Sequence, residues 1–484
     1  MEQAPVKSPA RVAVAVAHGD GIGPEIMDAT LEVLKGAGAD LDYRPVEIGE
    51  KAYLAGFDSG MPPQTLEVLR DTRLFLKAPI TTPQGGGYKS LNVTTRKLFN
   101  LYANVRPTVA YAPFVPTKHP GMNVVIVREN EEDLYAGIEH RQTDEVYQCL
   151  KLITRPGCER IVRYAFEYAR RYHRKKVTCF TKDNIMKFTD GLFHRVFDEL
   201  GAQYPEIEKE HYIVDIGAAK LADTPQAFDV VVMPNMYGDI LSDVAAQIAG
   251  SVGLAASANI GDRFAMFEAI HGSAPRRAGQ DLANPSGLLL SAVMMLVHLG
   301  QTETAARIHN AWLYTIEQGV HTYDLGREGS VGTKAFAQAV VKNLGQKPQT
   351  LATVHYEAGD VVPPSVASSH TPEVRKLVGV DVFLACSDRN PDTLGTRLAA
   401  STADNLRLKL ISNRGIKVWP NGLPETFCTD HWRCRYEAPS SDVSPTTLDV
   451  AKLLEKLYHD GFDVIKTENL YTFDGKSGYT AAHG

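Results

Sequence analysis

The 484-residue sequence predicts an α/β protein that ends in a separate, small α+β domain of ferredoxin-like topology. Two observations support this prediction. The first 345 residues alternate short apolar runs with longer amphipathic stretches, which is the pattern of an α/β architecture. Residues 346–373 then lose this periodicity and are rich in proline and polar side chains, so we expect a linker there.

Short runs rich in β-branched residues predict the buried strands of the α/β part. These runs are Val12–Val16, Leu74–Leu76, Val124–Val127, Val177–Phe180 and Val230–Met233. Amphipathic stretches of helical period predict the helices that cover them. These stretches are Glu25–Leu34, Cys158–Arg171, Ser286–Leu299 and Glu303–Gln318.

Beyond the linker, the predicted elements follow the order β-α-β-β-α-β of a ferredoxin-like unit. They are Val380–Cys386, Asp392–Ser401, Leu406–Ile411, His431–Glu437, Thr446–His459 and Phe462–Thr467. Such a unit either binds a small ligand as a sensor or stabilises an assembly by packing. We favour the packing role because no convergent polar cluster stands out in this region.

Composition excludes several classes of function. A net charge of −6 gives no electrostatic attraction for nucleic acid or an anionic membrane. No run of apolar residues is long enough to span a bilayer, and the N-terminal residues lack the features of a signal peptide. The six cysteines are scattered without metal-ligand spacing, so we expect reduced thiols in a cytoplasmic protein.

Three arginines follow a glycine run at residues 85–87 and predict an anion site. Arg96, Arg106 and Arg128 each offer a planar fork of donors that matches a carboxylate, and Ser90 and Asn92 add neutral hydrogen-bonding groups. The group could hold a di- or tricarboxylate. The alternative is that these arginines form salt bridges on a solvated face.

Asp239 and Asp243 are spaced to share one face of a helix. They follow the predicted strand Val230–Met233 and a glycine turn, at the kind of strand end where open α/β sheets bind ligands. Paired carboxylates suit Mg²⁺ or Mn²⁺, and Asp215 after the strand Tyr212–Val214 is a third candidate ligand. The alternative is a helix start that carries aspartates to complement the helix dipole.

Lys182 and Tyr135 are candidates for proton transfer. Lys182 stands two positions after the strand Val177–Phe180, and Tyr135 follows the acidic run Glu129–Asp133. An ordinary polar surface contact is the alternative for each.

The glycine pattern at residues 19–23 does not have the spacing of the Rossmann dinucleotide motif, and no acidic residue follows at the expected distance. The segment 268–279 is a better nucleotide candidate. It combines a glycine turn, His271, which could contact a base, and Arg276 and Arg277, which could contact a phosphate.

Six motifs in this order resemble the isocitrate dehydrogenase/3-isopropylmalate dehydrogenase family of metal-dependent decarboxylating dehydrogenases. They are GDGIGPEI, TTPQGGGYKSLNVTTR, RENEEDLYAGIE, KDNIMKFTDG, NMYGDILSD and HGSAP followed by NP, within residues 11–345. The region after the linker is similar to the C-terminal extension of the longer homodimeric bacterial members. The resemblance implies oxidative decarboxylation of isocitrate to 2-oxoglutarate and CO₂, with hydride transfer to NADP. NAD as the acceptor, or a 3-isopropylmalate or homoisocitrate substrate, is the alternative.

The resemblance also implies roles for individual residues. Substrate contacts fall on Ser90, Asn92, Arg96, Arg106 and Arg128, metal ligands on Asp215, Asp239 and Asp243, and catalytic roles on Lys182 as base and Tyr135 as proton donor. The expected cofactor contacts are Thr82, Asn184, Glu268, His271, Gly272, Ala274, Arg276, Arg277, Asn284, Tyr323 and Arg327.

Substrate and cofactor choice depend on a few of these positions. Ser90 and Asn92 can bond the extra carboxylate of isocitrate, whereas a 3-isopropylmalate enzyme needs apolar side chains there. An acidic residue at the position of Arg276 goes with NAD in this family. Here Arg276, Arg277, Arg327 and Tyr323 favour a 2′-phosphate and hence NADP.

The resemblance further implies a non-Rossmann fold of two α/β domains in a homodimer with a shared active site, to which the partner subunit contributes its Asp215 and Lys182. The expected divisions are a large domain of residues 1–101 and 250–345, a small domain of residues 102–132 and 155–249, a dimer-clasp segment of residues 133–154, the linker 346–373, and the C-terminal domain 374–484.

Overall fold

The computed structural model describes residues 11–57, 59–82, 90–357 and 372–481. The chain forms two compact units: Met1–Tyr135, Leu152–Ile185 and Thr189–Ser368 make the first, and Ala136–Lys151, Met186–Phe188 and Ser369–Gly484 make the second. The glycine run 85–87 and residues 358–371 of the predicted linker lie outside the described residues.

The strands, numbered in chain order, are β1 Val12–Ala17, β2 Leu41–Pro45, β3 Leu74–Lys77, β4 Ala103–Val109, β5 Asn123–Glu129, β6 Glu139–Arg141, β7 Tyr147–Cys149, β8 Lys176–Thr181, β9 Glu208–Ile213, β10 Val230–Met233, β11 Ala256–Ile260, β12 Ala265–Ala269, β13 Arg375–Ala385, β14 Arg407–Asn413, β15 Ile416–Trp419, β16 His431–Glu437, β17 Asp463–Phe473 and β18 Lys476–Ser477.

The α-helices are α1 Gly23–Gly36, α2 Glu50–Leu54, α3 Pro63–Thr72, α4 Leu91–Leu98, α5 Arg155–Arg171, α6 Thr189–Gly201, α7 Val214–Asp223, α8 Asn235–Ala249, α9 Ser286–His298, α10 Thr302–Glu317, α11 Thr333–Lys342, α12 Pro391–Ala400 and α13 Thr447–His459.

One sheet organises the described part of the first unit, with the strand order β2-β1-β3-β12-β11-β4-β5-β10-β8-β9. The pairs β12–β11, β11–β4 and β4–β5 at its centre are antiparallel, and the pairs on either side are parallel. Helices pack on this sheet, which confirms the predicted α/β class. The five predicted β-branched runs are all strands, and Val230–Met233 has the predicted bounds. The predicted strand Tyr212–Val214 is the end of β9, which stops at Ile213, because α7 begins at Val214.

Polar residues explain why the central strands β4 and β11 were not predicted. β4 reads ANVRPTV and β11 reads ASANI, so neither contains a run of apolar residues. The polar side chains Asn104, Arg106 and Asn259 are nevertheless buried. They bond to one another and to neighbouring strands, which removes the cost of burying them.

The glycines at residues 19 and 21 allow two backbone segments to meet closely. At Gly21, where φ is +59°, a Cβ atom would lie 2.0 Å from the carbonyl oxygen of Ser273. The amide of Ile22 donates to that oxygen at 2.8 Å. A Cβ at Gly19 would lie 2.2 Å from the carbonyl oxygen of Pro79. These two glycines therefore serve close backbone packing.

The beginning of the predicted linker packs along α10. Glu317 accepts hydrogen bonds from the amides of Gln349, Thr350 and Leu351 at 2.6–2.8 Å. Further along, Asn310 pairs with both backbone groups of Val354. Residues 349–356 are thus tied to the first unit.

The second unit contains the predicted ferredoxin-like domain. Its described strands form an antiparallel sheet in the order β15-β14-β16-β13-β17-β18. The four predicted strands are the consecutive β14, β16, β13 and β17, and α12 and α13 follow in the predicted places, so the topology is confirmed. The apolar core is centred on Trp432, Leu453 and Leu398.

The hairpin β6–β7 belongs to the same unit as the ferredoxin-like domain. Glu145 forms an ion pair with Arg389, and it also accepts a hydrogen bond from the amide of Asp430 at 3.0 Å. Thr143 donates to the Asp430 carboxylate at 2.6 Å. These contacts lie between the hairpin and two loops of the domain.

The six cysteines are free thiols, and four of them are buried. Across the described ranges, we find no helix with the length and apolar character needed to cross a membrane.

Candidate active site

The first element of the site is helix α4. Ser90 precedes its first turn, and Asn92 and Arg96 lie on it. The Oδ1 atom of Asn92 is buried and has no hydrogen-bond partner among the described residues. Arg96 is buried, and its Nη2 donates to Oε1 of Glu268 on β12 at 3.0 Å. The helix therefore presents a fixed guanidinium together with an amide oxygen that lacks a partner.

Two further arginines stand on the adjacent antiparallel strands β4 and β5. Arg106 donates from Nε to Oδ1 of Asn104 and from Nη1 to Oγ of Ser242, both at 2.6 Å. Arg128 donates to the backbone oxygen of Asn235 at 3.0 Å and to its Oδ1 at 2.8 Å. Neutral acceptors thus bind part of each guanidinium and help to set its orientation before any ligand binds.

The three arginines repel one another in a buried environment. Burial lowers the pKa of Arg106, and the charge of Arg96 lowers it further. Burial together with the charges of Arg106 and Arg96 lowers the pKa of Arg128 to about 9. Arg128 remains protonated near neutral pH, so the group keeps its positive charge. A polyanionic ligand would relieve this repulsion.

Helix α8 presents Asp239 and Asp243 to the arginines, as their spacing predicts. Arg128 forms an ion pair with Asp239, to which Tyr135 also donates its hydroxyl hydrogen. The Nη1 atom of Arg106 lies 3.5 Å from Oδ1 of Asp239 and 3.8 Å from Oδ1 of Asp243. Positive charge, carboxylates and a phenol thus converge at one place.

The two aspartates differ in protonation behaviour. Burial alone would raise the pKa of Asp239, but the neighbouring Arg128 and Arg106 lower it below its ordinary value. Burial raises the pKa of Asp243, which is farther from those charges. A carboxylate pair in which one member is not fully neutralised by the protein suits a divalent cation.

Gly238 allows Arg128 to reach Asp239. A Cβ at Gly238 would lie 2.5 Å from Cγ of Arg128. Our prediction of a glycine turn before the aspartates is wrong, because α8 already begins at Asn235 and contains Gly238. The glycine provides space for a side chain rather than a change of chain direction.

Lys182 and Asp215 form a pair of their own. Lys182 follows β8, and its Nζ lies 2.9 Å from Oδ2 of Asp215 in the first turn of α7. This hydrogen bond lowers the pKa of Asp215. Asp239 instead contacts Arg128, Arg106 and Tyr135. The predicted catalytic and metal-binding residues of one chain therefore form two clusters, one around Asp239 and one made of Lys182 and Asp215.

The residues that hold the arginines were not predicted from the sequence. Glu268 accepts from Arg96 and also pairs with Nζ of Lys77 at 2.6 Å. Asn259 donates to Glu268 at 3.0 Å and accepts from Asn104 at the same distance. The sequence does contain one indication of this network, which is that polar and charged residues interrupt the strands β4, β11 and β12.

A groove of about 810 Å³ contains most of the predicted nucleotide residues. Those that line it are His271, Gly272, Ala274, Arg277, Asn284, Tyr323 and Arg327. The guanidinium carbons of Arg327 and Arg277 lie 5.4 and 6.0 Å from the centre of the Tyr323 ring. Two cations and a phenol are therefore adjacent in this groove.

His271 provides an unused polar atom in the same groove. Its Nδ1 contacts the carbonyl oxygen of Gly272 at 3.1 Å, whereas its Nε2 is buried and has no hydrogen-bond partner among the described residues. Burial lowers the pKa of His271, so the ring is neutral near pH 7. A neutral imidazole with an unused nitrogen is suited to bonding a nucleotide base.

The other predicted nucleotide residues lie elsewhere. Glu268 is buried against Arg96 and Lys77, as described above. Thr82, Asn184 and Arg276 are exposed and do not line the groove. The structure thus brings most, but not all, of the predicted nucleotide residues together.

Comparison with known proteins agrees with this arrangement. Residues 13–340 match the family described as "Isocitrate/isopropylmalate dehydrogenase", and residues 375–484 match "Bacterial isocitrate dehydrogenase, C-terminal domain". The chain is 53% identical over 477 residues to a Rickettsia bellii protein named Isocitrate dehydrogenase [NADP], covering 97% of this chain and 99% of that protein. A Thermus thermophilus protein of the same name is 46% identical over 484 residues, covering 98% of this chain and 96% of its own length.

The fold also matches a solved structure. The crystal structure of the TT0538 protein from Thermus thermophilus superposes with a TM-score of 0.91 at 45% sequence identity. The match covers 97% of this chain and 95% of that one. The chain therefore belongs to the isocitrate/isopropylmalate dehydrogenase family, and its carboxyl end carries the C-terminal domain found in bacterial isocitrate dehydrogenases.

Proposed function

We propose that the protein catalyses oxidative decarboxylation of isocitrate to 2-oxoglutarate and CO₂, with NADP as hydride acceptor and Mg²⁺ or Mn²⁺ as the required metal. The observation that carries this proposal is the convergence of Arg96, Arg106 and Arg128 on the helix face that presents Asp239 and Asp243. The names of the Rickettsia and Thermus relatives support the same substrate and cofactor.

Substrate binding follows from charge and hydrogen bonding. Isocitrate carries three carboxylates, and the three buried guanidinium groups can meet their charge with charge-assisted hydrogen bonds. Each charge-assisted bond contributes about 1.5–3 kcal/mol. Ser90 and Asn92 lie at the beginning of the helix that carries Arg96. The Oδ1 atom of Asn92 has no hydrogen-bond partner among the described residues, so it is available to a ligand. We assign these two residues to the carboxylate that distinguishes isocitrate from 3-isopropylmalate.

The donor set around Asp239 and Asp243 fits a hard divalent cation. Both side chains supply carboxylate oxygens from one helix face, and Asp243 is left without close neutralisation. We assign the remaining protein ligand to Asp215 of the partner subunit. When bound, Mg²⁺ or Mn²⁺ supplies Lewis-acid stabilisation of negative charge on the substrate oxygens.

Two residues of the chain are suited to proton transfer. Burial raises the pKa of Tyr135, so its hydroxyl stays protonated near neutral pH and can donate to the carbon that loses CO₂. Lys182 is assigned as the base for the substrate hydroxyl. Asp215, whose Oδ2 lies 2.9 Å from Nζ of Lys182, is proposed to relay the proton from the substrate hydroxyl to that amine.

The groove beside Tyr323 fits NADP. Arg277 and Arg327 can neutralise a 2′-phosphate, and Nε2 of His271 can bond the adenine. Arg276, which stands where NAD-dependent members carry an acidic residue, is proposed to add to the same positive field. The nicotinamide, when bound, accepts the hydride removed from the substrate.

A homodimer is supported by an unpartnered apolar stripe on α8. Met236, Ile240 and Val244 recur every fourth residue and are exposed, and Ile216 on α7 is exposed beside Asp215. A second copy that covers this stripe would bring its own Lys182 and Asp215 to the arginine site. We propose the domain boundaries stated above for this dimer, with residues 133–154 as the clasp.

Mixed dimers test the shared site. Lys182→Met and Asp239→Asn homodimers are each expected to be inactive. Random reassociation of the two variants makes half of the dimers mixed. If Lys182 and Asp239 of one site come from different subunits, each mixed dimer has one intact site and one site that lacks both residues. Recovery of about one quarter of wild-type activity supports sharing, and no recovery would contradict it.

Metal-dependent turnover tests the reaction itself. The wild-type protein with isocitrate, NADP and Mg²⁺ is expected to form NADPH and 2-oxoglutarate in equal amounts. Chelation of the metal, or Asp239→Asn, is expected to abolish both products, while Asp262→Asn is an exposed-aspartate control. NADPH formation without 2-oxoglutarate would show that the substrate is oxidised but not decarboxylated, which would contradict the proposed reaction.

The ferredoxin-like domain is assigned a stabilising role, which its ion pair and hydrogen bonds to the β6–β7 hairpin support. Truncation after Glu357, which keeps the contacts of residues 349–356 with α10, is expected to lower stability or dimerisation. Intact assembly with loss of an effector response would favour the sensor role instead. Cytoplasmic location stays a prediction from the sequence.

A further inference from the structure

A second set of metal-ligating side chains lies outside the site described above. Asp183, His194 and His211 come from the turn after β8, from α6 and from β9. The atoms of these side chains that could bind a metal lie within 4.8 Å of one another. Among the described residues, this is the cluster of three histidine, cysteine, aspartate or glutamate side chains that lie this close together. None of the three has a role in the proposed reaction.

The contacts within this group are specific. Nδ1 of His194 lies 2.7 Å from Oδ2 of Asp183. The rings of His194 and His211 stack with centroids 3.5 Å apart and planes 15° apart. All three side chains are half-buried, so they are partly shielded from water yet reachable by an ion.

Neighbouring groups orient the two imidazoles. Thr181 Oγ1 lies 2.8 Å from Nε2 of His211, and Oδ2 of Asp198 lies 3.7 Å from Nε2 of His194. The Nζ atom of Lys209 lies 3.8 Å from Oδ1 of Asp198. The Thr181 contact is a hydrogen bond to the second ring nitrogen of His211, which is the usual means by which proteins fix a histidine ligand.

We propose that Asp183, His194 and His211 form a second metal site, for a transition metal of the Zn²⁺ class. Imidazole nitrogens favour Zn²⁺, Co²⁺ or Ni²⁺ over Mg²⁺, which prefers oxygen ligands. The two nearby carboxylates of Asp183 and Asp198 balance the charge of a divalent ion. Water supplies the fourth ligand.

The position of the site connects it to catalysis. Asp183 directly follows Lys182, and the backbone amide of Lys182 donates to Asp190 of α6 at 2.6 Å. An ion that joins Asp183 to α6 and β9 would fix the turn that presents Lys182. The site is independent of the oxygen ligands Asp215, Asp239 and Asp243.

Titration with Co²⁺ tests the site, using untagged, metal-free full-length protein in excess Mg²⁺ so that the oxygen-ligand site is occupied. We expect one equivalent of Co²⁺ per chain with the intense visible absorption of four-coordinate cobalt. His194→Gln/His211→Gln is expected to remove the absorption and weaken binding at least about tenfold. The control His459→Gln, on the exposed end of α13, should bind Co²⁺ as the wild type does.

Two outcomes overturn the proposal: no Co²⁺ binding by the wild type in excess Mg²⁺, or equal binding by the wild type and the double variant. In either case the three residues form only a hydrogen-bonded charge network. Thermal unfolding checks that the variants are folded. If the double variant does not fold, Asp183→Asn replaces it, with the same expected loss of absorption and the same contradicting result.

Discussion

Arg96 donates to Glu268 at 3.0 Å, in a pair whose side chains are only 8% and 5% exposed. The same carboxylate holds Lys77 at 2.6 Å, so one anion balances two buried cations. Burial would raise the pKa of Glu268, but Lys77 and Arg96 lower it well below its ordinary range. The carboxylate thus stays charged and fixes the guanidinium that we assign to the substrate.

Glu268→Gln is expected to weaken both stability and substrate binding. It leaves Lys77 and Arg96 buried without a counter-charge, which costs about 3 kcal/mol in the free energy of unfolding. The KM for isocitrate should rise because Arg96 is no longer held in place. Chemical denaturation and steady-state kinetics measure both effects. Glu303→Gln, on an exposed first turn of α10, is the control, and equal unfolding free energies for the wild type and Glu268→Gln would contradict the prediction.

Ser90→Leu with Asn92→Leu is expected to lower kcat/KM for isocitrate by on the order of 10³-fold, because a site built for hydrogen bonds loses its donors and acceptors. The measurement is initial-rate kinetics over a range of isocitrate concentrations. Leu98→Asn changes polarity on the exposed part of the same helix and should have little effect. Unchanged kinetics in the double variant would remove these residues from the substrate site.

Arg327→Ala and Arg277→Ala test the phosphate subsite. Each is expected to raise the KM for NADP about tenfold to a hundredfold, since a charge-assisted bond contributes about 1.5–3 kcal/mol. The KM for NAD should change little because NAD has no 2′-phosphate. Arg263→Ala, an exposed arginine outside the groove, is the matched control. A parallel loss for both cofactors would show that these arginines do not discriminate between them.

His309 predicts a pH-dependent loss of stability. Burial lowers its pKa from 6.5 to about 4. The pKa of His309 is lower in the folded protein than in the unfolded chain, so protonation of this side chain favours unfolding. The contribution of neutral His309 to the free energy of unfolding is therefore present above pH 6.5 and is lost as the pH falls through about 4. The loss amounts to at most about 3 kcal/mol.

Denaturation of the wild type and of His309→Gln between pH 7 and pH 4 measures this effect. The Nδ1 of His309 lies 2.7 Å from the Tyr356 hydroxyl, so hydrogen exchange should report loosening of residues 349–356 in the wild type first. The glutamine variant has no group that titrates there. Parallel stability profiles of the two proteins would contradict the assignment to His309.

The sequence was sufficient for the fold class and for several members of the site. β-branched runs marked the parallel strands, and the helical spacing of Asp239 and Asp243 correctly placed both on one face of α8. These features depend on local patterns of two to four residues. The ferredoxin-like order was predicted for the same reason, since each of its elements has its own periodicity.

The partners of the arginines could not be predicted because they depend on pairing between distant strands. Arg96 and Glu268 are 172 positions apart, and Asn104 and Asn259 are 155 apart. Their burial is favourable only as a connected network, so no single residue signals it. Glu268, which the resemblance assigns to the nucleotide, contacts Lys77 and Arg96 in this network, and its role toward the nucleotide stays a prediction.

The most direct measurement of the central claim is the rate of NADPH formation from isocitrate with Mg²⁺, compared with the rates for NAD and for 3-isopropylmalate under the same conditions. We predict a clear preference for NADP over NAD. We also predict a kcat/KM for isocitrate that exceeds that for 3-isopropylmalate by on the order of 10³-fold or more. Equal or better use of 3-isopropylmalate would contradict the assigned substrate, and a preference for NAD would contradict the roles given to Arg277 and Arg327.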